Sequence, residues 1–404
     1  MYTRASAGNE PQIEPECVAV QNMVRVQRIS KIFASILLLH HVATQSSKPR
    51  QLFLNMLQDM TRMSNGNFVI QYPSRSHSRI QLNYPKSMPF PCKNFTGVGL
   101  GRSHRRPTSV HKLRPGDIDV IGALGDSLVA GNGAMEEYAL GTMIENRGVS
   151  WCIGGEGTWR DFLTLPNILK EFNPNLKGYS TGTGEFLSSN AKLNVAFPVA
   201  ADADALRQAK ILIKKMKSDH RINMNEDWKM ITVFFGANDI CSAQCYNKEE
   251  AVRIKRTMMC HLFHRLFCAC FHEGGNEMDV ITTLTREYQR AEEELVLSGR
   301  YDKREDFTVV IQPFIKLFNA PTDPMRRFSE VIDISYITHD CFHFSQKGHA
   351  LGANMLWNNL LQPVGLKSQK KLNYVLEKFE CPKLNAPYLF TNKNTRNYFT
   401  NGFQ

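Results

Sequence analysis

The sequence lacks the features of fibrous, repetitive and low-complexity proteins. Its 404 residues include 26 glycines and 18 prolines, neither in excess, and no unit of about 20–50 residues recurs. No apolar run is long enough to cross a bilayer, since the longest candidate covers only residues 32–39. Motifs of nucleic-acid-binding proteins are absent. The 42% of hydrophobic residues can build one large α/β domain or two small ones.

Acidic residues are also scarce relative to basic ones. The chain has 38 Asp and Glu against 49 Lys and Arg, for a formal net charge of +11. Such a balance attracts anions such as acidic lipid head groups, polysaccharide or nucleic acid, although it is more often only a solubility property. Because no nucleic-acid motif accompanies the charge, nucleic acid is the least favoured of these partners.

The N-terminal part of the chain predicts export. Residues 23–46 combine a basic start, a short apolar run and a small polar end, which is the layout of a secretory signal peptide. We interpret Met23 as the true start and residues 1–22 as an artefactual extension; the alternative is a buried or interfacial helix. Nine cysteines follow the leader, several of them clustered as in disulfide-braced loops, and Asn94-Phe-Thr96 is a glycosylation sequon.

The remaining chain divides into three parts. Residues 47–106 are rich in Pro, Ser and basic residues with little periodicity, so we expect a poorly ordered segment. Order should begin at about Pro107, with the main domain over residues 107–366 and a C-terminal extension over residues 367–404.

Buried strands alternate with amphipathic helices in the main domain. Apolar runs at residues 117–124, 229–235 and 307–312 predict three fully buried strands. Helical spacing begins at about Asp202 and predicts a buried face of five residues, Leu206, Ala209, Leu212, Ile213 and Met216; a second helix is predicted over residues 283–298. This order implies an α/β fold with a parallel sheet and helices on both faces. In such sheets ligands bind at the carboxyl ends of the strands.

Three short segments supply the residue types that acyl transfer needs. Ser127 lies in Gly-Asp-Ser-Leu after the first strand, Asn238 in Gly-Ala-Asn-Asp after the second, and Asp340 and His343 in Asp-Cys-Phe-His. Ser127 is the candidate nucleophile, His343 its base, Asp340 the group that orients the base, and Asn238 an oxyanion donor. Taken singly, each has an ordinary structural alternative: a helix cap, a surface pair and a turn residue.

Together these segments resemble the blocks of the SGNH (GDSL) hydrolase superfamily, and more closely the phospholipase B family. The resemblance spans residues 107–365 and includes Ser150-Trp-Cys-Ile-Gly-Gly-Glu-Gly-Thr-Trp, Leu165-Pro-Asn-Ile-Leu-Lys-Glu-Phe-Asn-Pro, Gly299-Arg-Tyr-Asp-Lys-Arg-Glu-Asp and Leu356-Trp-Asn-Asn-Leu-Leu-Gln-Pro. It implies a three-layer flavodoxin-like sandwich and hydrolysis of phospholipid and lysophospholipid acyl esters without metal or cofactor. It further implies a secreted enzyme in peripheral contact with membrane surfaces or micelles. By position, Ser127, Asn238, Asp340 and His343 match the family's catalytic residues.

Two positions depart from the family pattern. Val199 stands where relatives usually have an oxyanion glycine, and a β-branched residue resists positive φ. If the donor needs the glycine conformation, its loss would lower the rate about a hundred- to a thousandfold. Cys152 stands where relatives typically have serine, which makes it the candidate unpaired thiol.

Several alternatives remain open from the sequence. Val199 and the basic charge also suit a catalytically impaired lipid- or surface-binding homologue, and the fold hosts esterases of small acyl esters. Cys260, His264 and Cys268 recur every four residues and could hold zinc, but in an exported chain disulfides are the favoured fate of such cysteines.

Overall fold

A computed structural model describes residues 78–236, 277–314, 333–340 and 342–400. Within these ranges the chain forms strands β1 (Val120–Gly125) and β2 (Lys229–Phe234). The α-helices are, in chain order, α1 (Ser127–Ala130), α2 (Leu165–Lys170), α3 (Ala205–Ser218), α4 (Glu277–Leu297), α5 (Gln346–Leu360) and α6 (Asn392–Thr400). None of the helices in these ranges is both long and apolar enough to cross a bilayer.

Strand β1 is the centre of the sheet. It pairs in parallel with β2, from Val120 opposite Lys229 to Gly125 opposite Phe234. On its other edge, residues 193–197 run beside it, with the Ala123 N–H donating to the Leu193 carbonyl and the Val195 N–H to the Ala123 carbonyl, both at 3.0 Å. Flanked on both edges, all six residues of β1 are buried. The predicted first strand is confirmed, beginning three residues later than the apolar run.

Helices cover both faces of β1. Because successive side chains of a strand point to opposite faces, Val120 and Leu124 share one face, where they pack against Leu212 and Met216 of α3. Ile121 and Ala123 face the other way, into a larger core built with residues of α2 and α5. The predicted three-layer arrangement around a parallel sheet is therefore confirmed.

Strand β2 and part of helix α3 are more exposed than the sequence predicts. Strand β2 is only partly buried, and Val233 is 63% exposed, because α3 packs over β1 rather than over β2. Likewise α3 buries Gln208, Leu212 and Met216, while Leu206 and Ile213 point outward. The prediction of a fully buried second strand is thus wrong, as is part of the predicted buried face of the helix.

The third predicted strand does not form. Within the described ranges, residues 307–312 belong to no strand, and Phe307 is exposed. An apolar run of six residues marks a segment that can be extended, but a strand also requires a neighbour with matching backbone donors and acceptors. Helix α4, by contrast, ends just before Gly299 as predicted, although it begins earlier, at Glu277.

Both flanks of the main domain pack onto it. Order does not start at Pro107: Phe90 and Cys92 are already buried, and Cys92 forms a disulfide with Cys381. The C-terminal segment lies along α5, where the Asn354 amide donates to the Val375 carbonyl at 2.7 Å. The predicted boundary was wrong because long-range hydrogen bonds and the disulfide hold segments that have little periodicity of their own.

Candidate active site

Ser127 begins a helix directly after the central strand. It is the first residue of α1, and the preceding Asp126 caps the helix by accepting the Leu128 N–H at 2.9 Å. A side chain at Gly125 would approach Val129 and the Phe234 carbonyl to 2.5 Å, so only glycine allows this tight turn. The first N–H groups of a helix have no partner inside it, so the Ser127 amide is one of the donors at this helix end. Ser127 therefore follows a strand and a tight turn, as the sequence predicts, and it is Asp126 rather than Ser127 that caps the helix.

Asp340 and His343 form a hydrogen-bonded pair on a short turn. Asp340 Oδ2 accepts from His343 Nδ1 at 2.5 Å, and the same carboxylate accepts from the Thr338 hydroxyl. Oδ1 also accepts the backbone N–H groups of Phe342 at 2.9 Å and His343 at 3.1 Å. The spacing of three residues therefore brings carboxylate and imidazole together, and the side chains are a buried pair rather than a surface one.

The Asp340 carboxyl is held in its charged form. Burial by itself would raise its pKa, but the charge of His343 and the donors from His343, Thr338 and Phe342 outweigh burial and lower the pKa below the usual range. A permanent negative charge beside Nδ1 keeps the proton on that nitrogen. The opposite nitrogen, Nε2, is then the one that can accept a proton.

His343 Nε2 is buried, and no donor or acceptor among the described residues bonds to it. A buried polar atom without a partner is rare in folded proteins and often marks a functional site. Here the unpaired Nε2 belongs to a ring whose other nitrogen, Nδ1, is hydrogen-bonded to the Asp340 carboxylate. An imidazole held in this way can act as a general base through Nε2.

Trp151 connects the serine helix with the histidine turn. Its indole donates to the Leu128 carbonyl in α1 at 3.2 Å, and its backbone N–H donates to Nδ1 of His349 in α5 at 3.2 Å. Helix α5 begins three residues after His343 and is capped by Ser345, whose hydroxyl accepts the Gly348 N–H. Trp151 therefore links α1, which begins at Ser127, to α5, which follows the turn of Asp340 and His343.

The Val199 turn follows the segment that runs beside β1. Val199 has φ of +62°, the left-handed conformation in which glycine is favoured, and its side chain is 73% exposed. The chain thus adopts the glycine-like backbone despite the β-branched residue. The β-branched side chain therefore does not prevent a positive φ at this position.

A buried arginine holds the backbone before that turn. The Arg147 guanidinium donates to the carbonyls of Ala196 at 2.7 Å, Asn194 at 3.3 Å and Gly184 at 2.5 Å, and pairs with the Glu145 carboxylate. Bidentate and multiple donors from a planar guanidinium fix backbone geometry well. Sequence reasoning missed this residue, because nothing in an isolated arginine indicates that it is buried.

Two glutamines also support the site and were missed. The Gln208 amide of α3 accepts the Gly125 N–H and donates to the Gly125 carbonyl, both at 2.8 Å. The backbone N–H of Gln81 donates to the side-chain oxygen of Gln346, at the start of α5, at 2.7 Å. For Gln208 a signal existed: it is spaced four residues from Leu212 on the buried helix face.

The other predicted residues have mixed outcomes. Asn238 lies outside the described residues, as do Cys260, His264 and Cys268. Cys152 is buried and unpaired as predicted, and burial raises the pKa of its thiol to about 12, so it is not an activated nucleophile. In the ranges that are described, no three His, Cys, Asp or Glu side chains converge as metal ligands.

Comparison with known proteins identifies the family. The model of the GDSL-like lipase/acylhydrolase family matches residues 121–356, from the central strand into α5. The membrane-associated phospholipase B1 of Mus musculus and that of Rattus norvegicus are each 39% identical over 345 residues, covering 74% of this chain and 23% of theirs. The Homo sapiens protein of that name is 38% identical over 349 residues, covering 76% of this chain and 23% of its own.

The chain therefore spans about a quarter of the length of these relatives. No solved structure matches it. The match over the whole serine-to-histidine region nevertheless decides the assignment: the chain belongs to the GDSL-like lipase/acylhydrolase family of ester hydrolases, and within it resembles the phospholipase B type.

Proposed function

We propose that this protein hydrolyses acyl ester bonds of phospholipids and lysophospholipids, with Ser127 as nucleophile, His343 as general base and Asp340 as the residue that orients the base. The observation that carries the proposal is the His343 ring, bonded to a charged carboxylate at Nδ1 and, at its buried Nε2, without a partner among the described residues. The names of the relatives favour phospholipid as the substrate class.

The reaction would proceed by acyl transfer. His343 Nε2 takes the proton of the Ser127 hydroxyl as its oxygen attacks the ester carbonyl, forming a tetrahedral intermediate. The protonated ring then gives that proton to the leaving alcohol oxygen. Water repeats the sequence on the acyl-enzyme and releases the fatty acid.

The oxyanion needs donors that are in place before the reaction. The Ser127 N–H at the start of α1 is one candidate, and the Val199 N–H and the Asn238 amide are the others. The left-handed backbone at Val199 supports its role, since this is the conformation a glycine would supply.

We also propose that the protein acts outside the cytosol. The Cys92–Cys381 disulfide supports export, because structural disulfides persist in oxidising compartments. The signal-like residues 23–46 and the exposed Asn94 of the sequon point the same way.

The direct test compares fatty-acid release by the full chain and by Ser127→Ala. With micelles of phosphatidylcholine or lysophosphatidylcholine, the variant should lose at least about a thousandfold in kcat, because no other nucleophile replaces the hydroxyl. Ser189→Ala, which changes an exposed serine in the same domain, is the matched control and should retain full activity. Equal release by Ser127→Ala and the native chain would exclude the proposed nucleophile.

A fluorophosphonate probe separates the alternatives. An activated Ser127 should be labelled in the native chain and not in Ser127→Ala. Labelling together with turnover of short-chain esters but not of phospholipid would assign a small-ester esterase. An unlabelled, folded protein would identify an impaired homologue.

A further inference from the structure

Helix α3 presents an outward face that carries only positive charge. Between Ala205 and Ser218 there are one arginine and four lysines and no acidic residue. Four of these side chains are exposed and, in the part of the chain that is described, none is paired with a carboxylate: Arg207, Lys210, Lys214 and Lys217. The fifth, Lys215, instead donates to the carbonyls of Phe186 and Lys192.

Large apolar side chains interrupt this charge. Leu206 and Ile213 are exposed on α3, seven residues apart, so that they and Lys210 lie on one stripe of the helix. Leu187 and Val199, in the chain before the helix, are also exposed. We call these eight residues the α3 face: Leu187, Val199, Leu206, Arg207, Lys210, Ile213, Lys214 and Lys217.

Ring contacts show that the parts of the α3 face adjoin one another. The Arg207 guanidinium lies 5.6 Å from the centre of the Phe197 ring, and Phe197 packs on Phe186 at 5.3 Å. Phe186 precedes Leu187 and Phe197 lies two residues before Val199. The apolar turns and the first turn of α3 therefore form one surface.

One end of the α3 face adjoins the turn that leads to Ser127. The buried side of α3 carries Gln208, whose amide bonds both backbone groups of Gly125, two residues before Ser127. Phe197 donates its N–H to the same Gly125 carbonyl at 3.3 Å. The N-terminal end of the α3 face is thus adjacent to the candidate active site.

We propose that the α3 face docks the protein on an anionic phospholipid surface. Lysine and arginine bind acidic head groups while the apolar side chains enter the interface, which is the pattern of interfacial amphipathic helices. A sulfated polysaccharide or nucleic acid would neutralise the lysines but leave Leu206 and Ile213 in water. The nearest acidic residues along the chain flank the helix and have other partners: Asp204 accepts the Ala201 N–H, Asp202 accepts the Tyr288 hydroxyl, and Asp219 pairs with Arg221 at 2.6 Å.

The inference that the bound lipid is also the substrate rests on the proposed function, whereas binding to a lipid surface does not. Binding is therefore measured by vesicle sedimentation on the Ser127→Ala chain, which leaves the lipid intact. Vesicles of phosphatidylcholine with an equal amount of phosphatidylserine should bind far better than vesicles of phosphatidylcholine alone, and raised salt should weaken binding.

Charge removal from the α3 face is the decisive variant. The triple change Lys210→Gln, Lys214→Gln, Lys217→Gln should reduce binding by roughly fivefold for each lysine removed, or about a hundredfold in total. The matched control removes three exposed lysines from elsewhere, Lys86→Gln, Lys370→Gln and Lys383→Gln, and should bind nearly as well as the parent. Leu206→Ser with Ile213→Ser should weaken binding at constant charge.

The outcomes separate this inference from the proposed enzyme activity. Equal binding by the two lysine triples overturns the docking surface, as does binding to heparin without binding to vesicles. Docking through α3 by a chain that releases no fatty acid with Ser127 intact would keep the surface and refute the proposed hydrolase. The lysine triple should keep its activity on a water-soluble ester.

Discussion

Asp340 is held by a dense set of hydrogen bonds in the candidate site. Four donors surround it: the Thr338 hydroxyl, two backbone N–H groups and His343 Nδ1. Such a carboxylate cannot rotate or take up a proton without losing several bonds. Its effect on His343 is therefore to fix both the orientation and the tautomer of the ring.

Asp340→Asn should lower kcat for ester hydrolysis by about 10⁴-fold with little effect on folding. The amide has the same shape, but its NH₂ group cannot accept the Nδ1 proton, so the ring takes the wrong tautomer. Steady-state hydrolysis of a soluble ester measures the loss. Asp333→Asn is the control, since Asp333 caps a nearby 3-10 turn where asparagine serves equally well. Similar kcat values for the two variants would remove Asp340 from the mechanism.

Val199 holds a backbone conformation that its side chain disfavours. The left-handed region costs a non-glycine residue roughly 1–2 kcal/mol. The flanking structure must supply this energy, and Arg147 and the pairing with β1 hold the residues just before the turn. The valine therefore lowers stability without removing the N–H from the turn.

Val199→Gly should raise the free energy of unfolding by up to about 1 kcal/mol, because relief of strain exceeds the extra chain entropy of glycine. The kcat for ester hydrolysis should change by less than about tenfold, since the backbone is already in the glycine conformation. Denaturant unfolding and steady-state kinetics measure the two effects. A hundredfold gain in kcat would mean that valine disables the oxyanion site after all.

At this scale the sequence indicates the candidate catalytic residues and misses the side chains that position them. Ser127, Asp340 and His343 lie in short recognisable segments. Arg147, Gln81 and Trp151 act through contacts with residues far away in the chain, such as the hydrogen bond from the Gln81 N–H to the Gln346 side chain. No local pattern encodes contacts of that kind.

Helix α5 joins catalysis to stability through His349. This ring lies on the first turns of α5 and accepts the Trp151 N–H at Nδ1, so it must be neutral. Burial lowers the pKa of His349 to about 3, and repulsion from the nearby His343 charge acts in the same direction. In the unfolded chain a histidine takes up its proton at about pH 6.5.

Stability should consequently fall as the pH is lowered from about 6.5. Over that window the unfolded chain binds a proton at this position and the folded chain does not, which contributes up to about 1.4 kcal/mol per pH unit. His349→Asn keeps an acceptor for the Trp151 N–H and removes the titration. Urea midpoints at pH 7 and pH 5 should therefore differ less in the variant than in the native chain. An identical pH slope would show that His349 does not set acid stability.

Element type was easier to predict from sequence than element exposure. The apolar spacing of α3 predicts a helix, and a helix forms, but Leu206 and Ile213 belong to its outer face. Apolar spacing predicts the buried face of a helix correctly only if every apolar residue of that helix is buried. Surfaces that serve other contacts break that assumption.

At the scale of the whole molecule, the Cys92–Cys381 disulfide closes a loop with a sequence separation of 289 residues. Cys92→Ser with Cys381→Ser should lower the free energy of unfolding by about 2–4 kcal/mol, because the unfolded chain gains freedom. Activity of the folded fraction should be unchanged, since the bond lies outside the candidate site. Denaturation midpoints of native and double-variant chains measure this, and equal midpoints would contradict it.

The layered architecture was predictable, whereas the packing of its flanks was not. Alternation of strands and helices is a property of local sequence, and it led to a parallel sheet covered on both faces. Residues 78–106 and the segment after α5 have weak local patterns. Their order comes from bonds such as that between Asn354 and Val375, which only the folded chain brings together.

The same disulfide has a topological consequence. The Cα atoms of Cys92 and Cys381 are 5.4 Å apart, and the bond joins the segment before the main domain to the segment after it. The residues between the two cysteines therefore form a covalently closed ring. If a protease cuts a single surface loop inside this ring, the two pieces stay joined until the disulfide is reduced.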